Sequence, residues 1–248
     1  MTPQHALEAH SRPDTTSGAS PKNVVLSIGN AGPLGEAVLA RLLASTRYLR
    51  VIAATTQSMH TTAPRLSARN YRELLESPSW PQSVEAGDVM EAVILIGGKH
   101  SFLKRDDAFP EVSIDQAITL ARKARASGVM RMLVVAPMDA WSSMTLGSLA
   151  HFDELERALV PLEFSSLIIV RPSAHREKSG DRGFLATVAR ALLGTLAHYM
   201  TTASRQPMRA KVVAEAVVEW FVRLPAGVHR KDAVSLHEWL EAKKAANK

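Results

Sequence analysis

Three glycines spaced as Gly29-x-x-Gly32-x-x-Gly35, with Asn30, Ala31, Pro33 and Leu34 between them, are the residues of this chain best suited to chemistry. A diphosphate carries negative charge that needs donors at close range. The first turn of a helix supplies unpaired N–H groups and the positive end of the helix dipole. Side chains obstruct such an approach, so glycine is needed where the chain turns sharply, where backbone nears phosphate and where the helix packs closely. The spacing assigns Gly29 to the turn, Gly32 to the phosphate approach and Gly35 to the packing. Pro33 fits near a helix start, where its missing N–H costs little.

The flanking sequence supplies the elements that would position such a loop. Asn23 to Ile28 reads as a strand, and Leu34 to Ala44 as a helix with Val38, Leu39, Leu42 and Leu43 at core-facing spacing. Beyond it, short Val- and Ile-rich runs alternate with segments of helical period. That alternation predicts an α/β fold, a single-domain doubly wound parallel sheet with helices on both faces. Strands are expected at Leu49–Thr55, Val89–Ile96, Met130–Ala136 and Ser165–Val170. A further strand between Thr56 and Asp88 is required by the fold but has no clear position. Tyr71 to Leu75 looks helical, and Ser77 to Pro81 looks like loop. Helices are expected at Ser113–Ser127, stopped by Gly128, and at Leu149–Leu159, Phe184–Tyr199, Lys211–Arg223 and Leu236–Lys243. The sheet on this reading lies mostly before residue 171.

A glycine triplet between the first strand and first helix of such a chain is the Rossmann dinucleotide fingerprint. The strand ends at Gly29, Thr55, Gly97, Ala136 and Arg171 would then share one edge, where a ligand belongs. An acid after the second strand would accept from the ribose hydroxyls of NAD. Here Thr55-Thr56-Gln57 occupies that place, with Arg47, Arg50 and Arg65 close in sequence. NADP is slightly favoured over NAD.

Composition excludes several alternatives. With 46% hydrophobic residues in 248, the chain can bury one sizeable core, assigned to residues 23–248. Residues 1–22 lack an apolar period and are expected to form a loose, disordered tail; Glu8 and Asp14 interrupt any acid-poor presequence pattern. Zero cysteines exclude disulfides and a cysteine nucleophile and point to a reducing compartment, with cytoplasm as the default. No run of eighteen uncharged apolar residues would span a bilayer. The net charge of +6 is scattered, which argues against nucleic acid. The His and acidic residues show no metal spacing. The stripe Val212 to Val222, with Trp220 and Phe221, suits packing on the sheet or a homo-oligomer face.

The chain resembles the atypical short-chain dehydrogenase/reductases, in particular the group similar to the Tat-interacting-protein oxidoreductases. The resemblance covers roughly residues 23 to 240. It rests on the glycine triplet, Leu95-Ile96-Gly97-Gly98, Val112 to Asp115, Ala126-Ser127-Gly128-Val129 and Ile169-Val170-Arg171-Pro172-Ser173. It implies a single NAD(P)-binding domain with Gly97-Gly98 beside the cofactor and Arg171-Pro172-Ser173 near the nicotinamide. The family's catalysis, carried over by that resemblance, needs a serine after the fifth strand and a Tyr-x-x-x-Lys on the next helix. The serine place here holds Ala136 or Pro137, and the tyrosine and lysine places hold Ser148 and Phe152. The only tyrosines are Tyr48, Tyr71 and Tyr199, and none begins a Tyr-x-x-x-Lys. His151, Asp153, Asp139 and His175 are candidate substitutes without a compelling arrangement, so the catalytic residues are unknown. Two functions follow: a cofactor-binding regulatory or partner protein, or an oxidoreductase or epimerase with an unconventional proton donor and a small-molecule substrate.

Overall fold

The computed structural model describes residues 23–57, 63–77, 89–97, 108–137, 146–173 and 208–246. The expected tail 1–22, the loop 174–183 and the helix 184–199 lie outside them. Within them, seven strands form one sheet, all parallel, in the order β3-β2-β1-β4-β5-β6-β7. These are β1 (Asn23–Ile28), β2 (Tyr48–Thr55), β3 (Leu66–Asn70), β4 (Val89–Leu95), β5 (Arg131–Val135), β6 (Ser166–Arg171) and β7 (Gly227–Asp232). The helices are α1 (Gly32–Ala44), α2 (Tyr71–Glu76), α3 (Ile114–Ala126), α4 (Leu146–Leu159), α5 (Ala210–Arg223) and α6 (Ala233–Ala246). The doubly wound α/β class expected from the alternating pattern is the one observed.

Alternate residues of the central strands face two separate cores. Leu26, Ile28, Ile52, Ile94, Val134 and Ile169 pack with Leu74, Ile118, Leu120, Leu155 and Leu159 of α2, α3 and α4. Val25, Val51, Val93, Leu133 and Ile168 pack on the opposite face with α1, α5 and Leu236 of α6. Burial on both faces explains why the central strands read as near-continuous Val/Ile runs. The stripe on α5 is spent on this second core, where Val213, Val217 and Phe221 are buried. It therefore offers no free oligomer face.

The two edge strands depart from the sequence reading. The missing strand is β3, Leu-Ser-Ala-Arg-Asn, none of whose residues is fully buried. The sheet lies mostly before residue 171, as expected, and is extended by one strand with no sequence signal, β7, Gly-Val-His-Arg-Lys-Asp, which pairs with β6 from Gly227 to Asp232. Edge strands bury little and are protected from further pairing by charge, so neither carries an apolar period.

Local signals set the helix ends. Ser113 and Gln116 form a capping box at the start of α3, and Gly128 follows it with φ +87°. Asp232 Oδ1 accepts from Ser235 N at 2.9 Å, which starts α6 earlier than its apolar period suggested. The C-terminal carbonyls of α1 and α2 are met by cations. Arg65 donates to Leu43 O, Ser45 O and Tyr48 O, and Lys123 donates to Leu74 O, Leu75 O and Ser77 O. Cations used on carbonyls need no acidic partner, which accounts for part of the positive balance without an external polyanion.

A polar cluster closes the amino end of the sheet. Glu91 of β4 is fully buried; it accepts from Tyr48 Oη at 2.9 Å, pairs with Arg47, and lies 3.3 Å from Arg131 Nε. Burial and the neighbouring Glu91 push the Tyr48 hydroxyl well above the usual tyrosine range. The hydrogen bond that Arg47 donates to Glu91 outweighs desolvation and raises the guanidinium above its ordinary value.

Candidate functional site

Gly29 follows β1 with φ +81°, and a Cβ there would lie 2.1 Å from Leu95 O at the end of β4 and 3.2 Å from a Val112 methyl. The strand order reverses between β1 and β4, so Gly29 sits at the topological switch point. Gly35 is equally constrained: an added Cβ would meet Asn30 C at 2.4 Å and Asn30 O at 2.6 Å. It packs the first turn of α1 onto the loop itself, at Asn30. Gly32 differs from both. Its φ of +72° disfavours a side chain, yet no atom of the described residues lies within 4 Å of where a Cβ would stand.

The start of α1 is left uncapped. Ala31 occupies the N-cap position without a side-chain hydrogen bond, Pro33 lies in the first turn, and no acid is present there. Among the described residues, no side chain caps the positive dipole and first N–H groups of this helix. The loop is braced from beneath by Asn30, fully buried, whose carboxamide donates to Ser27 Oγ at 2.8 Å and Gly35 O at 3.3 Å. Leu34 packs against the second core.

At the end of β2, the buried Thr55 hydroxyl donates to Gln57 O at 2.8 Å and approaches Arg69 O at 3.3 Å. Its proton is committed to shaping the strand end. Thr56 is exposed, and its N–H donates to Ala108 O at 3.0 Å. Gly97 follows β4 with φ +116° and exchanges backbone hydrogen bonds with Val112. The segment from Ala108 to Val112 thus ties the ends of β2 and β4 together. Gly98 lies outside the described residues.

At the end of β6, Arg171 pairs with Glu156 of α4, which also accepts from Arg230 Nε at 2.7 Å. Pro172 and Ser173 share a shallow depression with Met208, Val213, Ala233 and Leu236. The glycine loop and the ends of β2, β4 and β6 all therefore stand along one edge of the sheet.

The cations read from sequence as neighbours of Thr55 are not at this edge. Arg47 precedes β2 and Thr55 ends it, so the eight residues of the strand separate them by roughly 25 Å. Arg50 pairs in register with Val24 near the start of β1, and Arg65 holds the end of α1. Arg69 does reach the edge, opposite Ala54 and one residue before the end of β3. Sequence reasoning missed it because β3 itself had no legible position.

Proton-transfer groups are sparse here. Ala136 after β5 is buried, and its N–H donates to Val170 O at 2.9 Å. Tyr48 faces Glu91 at the opposite end of the sheet. Tyr71 begins α2, and burial raises its hydroxyl to about 12. Asp139, His175 and Tyr199, and the side chains of Ser148, His151 and Phe152, lie outside the described residues. Asp153 is exposed. Among the described residues, no group of three or more His, Asp or Glu could hold a metal ion, and no helix is long and apolar enough to cross a membrane.

No family model matches the chain. Among curated proteins, it is similar to Protein FMP52-1, mitochondrial, of Scheffersomyces stipitis, at 24% identity over 194 residues, covering 77% of this chain and 84% of that protein. It is also similar to Protein FMP52, mitochondrial, of Eremothecium gossypii, at 27% identity over 181 residues, covering 70% and 76%. These names overturn the expectation of a cytoplasmic protein. That expectation rested on the missing cysteines, which bear on redox poise and do not distinguish one reducing compartment from another.

Among solved structures, the chain is similar to the triphenylmethane reductase of Citrobacter sp. complexed with NADP(H), with a TM-score of 0.49 and 12% identity over 84% of this chain and 68% of that one. The UDP-glucose 4-epimerase of Brucella ovis in complex with NAD gives 0.47 and 13% over 85% and 77%. A short chain dehydrogenase of Burkholderia cenocepacia in complex with NADP gives 0.46 and 12% over 91% and 95%.

Proposed function

We propose that this chain binds a nicotinamide dinucleotide along the carboxyl edge of its sheet, with the pyrophosphate on the backbone of Gly29 to Gly35. The observation that carries this reading is the contrast among the three glycines. Gly29 and Gly35 are glycines because backbone would collide with a Cβ, whereas Gly32 is approached by none of the described residues and sits at an uncapped, acid-free helix start. A tight turn alone explains the first two. The third is held by its φ of +72°, and the room beside it admits a close-approaching anion.

The same reading places Thr55 and Thr56 beside the adenosine ribose, Thr55 shaping the strand end through its bond to Gln57. Gly97 and Gly98 would pass the cofactor where β4 ends, and Arg171, Pro172 and Ser173 would stand toward the nicotinamide, with Arg171 oriented by Glu156. The pairing of an atypical short-chain dehydrogenase/reductase fold with the lack of any Tyr-x-x-x-Lys supports a cofactor-binding regulatory or partner protein. Ordinary carbonyl reduction needs a proton donor at the substrate, and Ala136 and Pro137 offer no side-chain donor at the place after β5.

Fluorescence titration of the full chain with NADPH and NADH tests the reading. Saturable binding of at least one is expected; no binding of either at millimolar concentration refutes it. A hydride-transfer assay over aldehydes, ketones and sugar nucleotides then separates the two roles, since turnover would establish an enzyme with an unconventional donor.

A further inference from the structure

Resting on the dinucleotide reading above, we propose that Arg69 grips the 2′-phosphate of NADP and makes this edge selective for it over NAD. Arg69 lies on β3 opposite Ala54, adjacent to the strand end at Thr55 where the adenosine ribose would lie. Its own carbonyl faces the Thr55 hydroxyl at 3.3 Å, which fixes the two strand ends relative to each other. The side chain is exposed and makes no ion pair or hydrogen bond among the described residues.

Strands in a sheet lie about 4.8 Å apart, so β3 stands about 10 Å from the glycine corner at the end of β1. An adenosine ribose extending from the pyrophosphate, met by an arginine side chain, covers that span. Guanidinium also suits the ligand: it presents several donors in a fixed fork that matches phosphate oxygens.

The surrounding groups leave this task to Arg69. Thr55-Thr56-Gln57 contains no carboxylate that would accept from ribose hydroxyls or repel a phosphate. Arg47 and Arg65 are held at the other end of the sheet. Asn70 uses its side-chain oxygen on Arg72 N at 2.9 Å to cap α2, and the Arg72 guanidinium pairs with Glu76.

The test is a titration of NADPH and NADH on the full chain and on Arg69→Gln, Arg69→Lys and Arg72→Gln. Adenosine 2′,5′-bisphosphate serves as a competitor, and each variant's melting temperature is recorded. The native chain is expected to bind NADPH at least about tenfold more tightly than NADH. Arg69→Gln should lose about tenfold or more for NADPH while NADH stays within about twofold, because one charged hydrogen-bonding group to phosphate has been removed. Arg69→Lys should retain part of the preference, Arg72→Gln all of it. Equal loss for both dinucleotides, or an unchanged ratio in Arg69→Gln, overturns the assignment of Arg69 while leaving the edge reading intact. Absence of binding by either dinucleotide to the native chain overturns both.

Discussion

Replacing Gly32 with alanine separates the phosphate role of this glycine from its backbone role. Alanine at φ +72° costs about 1–2 kcal/mol, the penalty of a left-handed conformation for an L-residue. No packing cost is added by the described residues, none of which lies within 4 Å of the new methyl. At about 2–4 °C per kcal/mol for a domain of this size, the melting temperature should fall by roughly 2–8 °C. The methyl would nevertheless occupy the space through which a diphosphate approaches, so dinucleotide affinity should fall by about tenfold or more. Gly29→Ala provides the contrast. There the same conformational penalty is joined by a 2.1 Å collision with Leu95 O, and overpacking adds about 1–3 kcal/mol. Its cost should reach roughly 2–5 kcal/mol. Thermal melts and NADPH titrations of both variants decide the matter. A Gly32→Ala protein that binds NADPH as tightly as the native chain would show that this corner does not hold the phosphates.

Further predictions concern the scaffold. Glu91→Gln should destabilise the fold by about 3 kcal/mol in denaturant melts by leaving Arg47 and Arg131 without their buried carboxylate, and it should leave dinucleotide affinity unchanged because the cluster lies at the amino end. A loss of affinity in a fully folded Glu91→Gln protein would contradict that separation. The buried Tyr71 hydroxyl has no hydrogen-bond partner among the described residues, so Tyr71→Phe should raise stability by about 1 kcal/mol. With its folded value near 12 and an ordinary value of 10.0, Tyr71 holds its proton longer in the folded state. Its contribution is complete below pH 10 and lost as pH rises toward 12, so Tyr71→Phe should flatten the stability decline in that window. Asp232→Ala should cost about 1 kcal/mol by removing the N-cap of α6. In native Asp232, burial is outweighed by hydrogen bonds from Ser235 and Val234, which hold the carboxyl below 3.8. That stabilisation is present above about pH 4 and fades in acid, as urea melts at pH 3 and pH 6 would show.

What could be read in advance follows the depth of burial. β1, β4, β5 and β6 are covered on both faces and announce themselves as Val- and Ile-rich runs, while the glycine triplet declares the corner between β1 and α1. β3 and β7 form through backbone pairing on exposed sheet edges, and residues such as Arg69, His229 and Lys231 carry no period to betray them. Proximity along the chain misled in the case of Arg47, because a strand carries its two ends to opposite sides of the molecule. The spacing already gives the three glycines separate roles, and the fold adds the atoms that impose two of them, Leu95 O against Gly29 and Asn30 against Gly35. Thr55 illustrates a related gap: the sequence places it at the strand end, and only the fold shows its hydroxyl turned onto Gln57.

Amide hydrogen exchange of the full chain with and without NADPH tests the central claim most directly. The account predicts ligand-dependent protection concentrated on the backbone from Gly29 to Gly35, with the amino-end cluster around Glu91 unaffected. Tight NADPH binding that leaves those amides exchanging as before would contradict it.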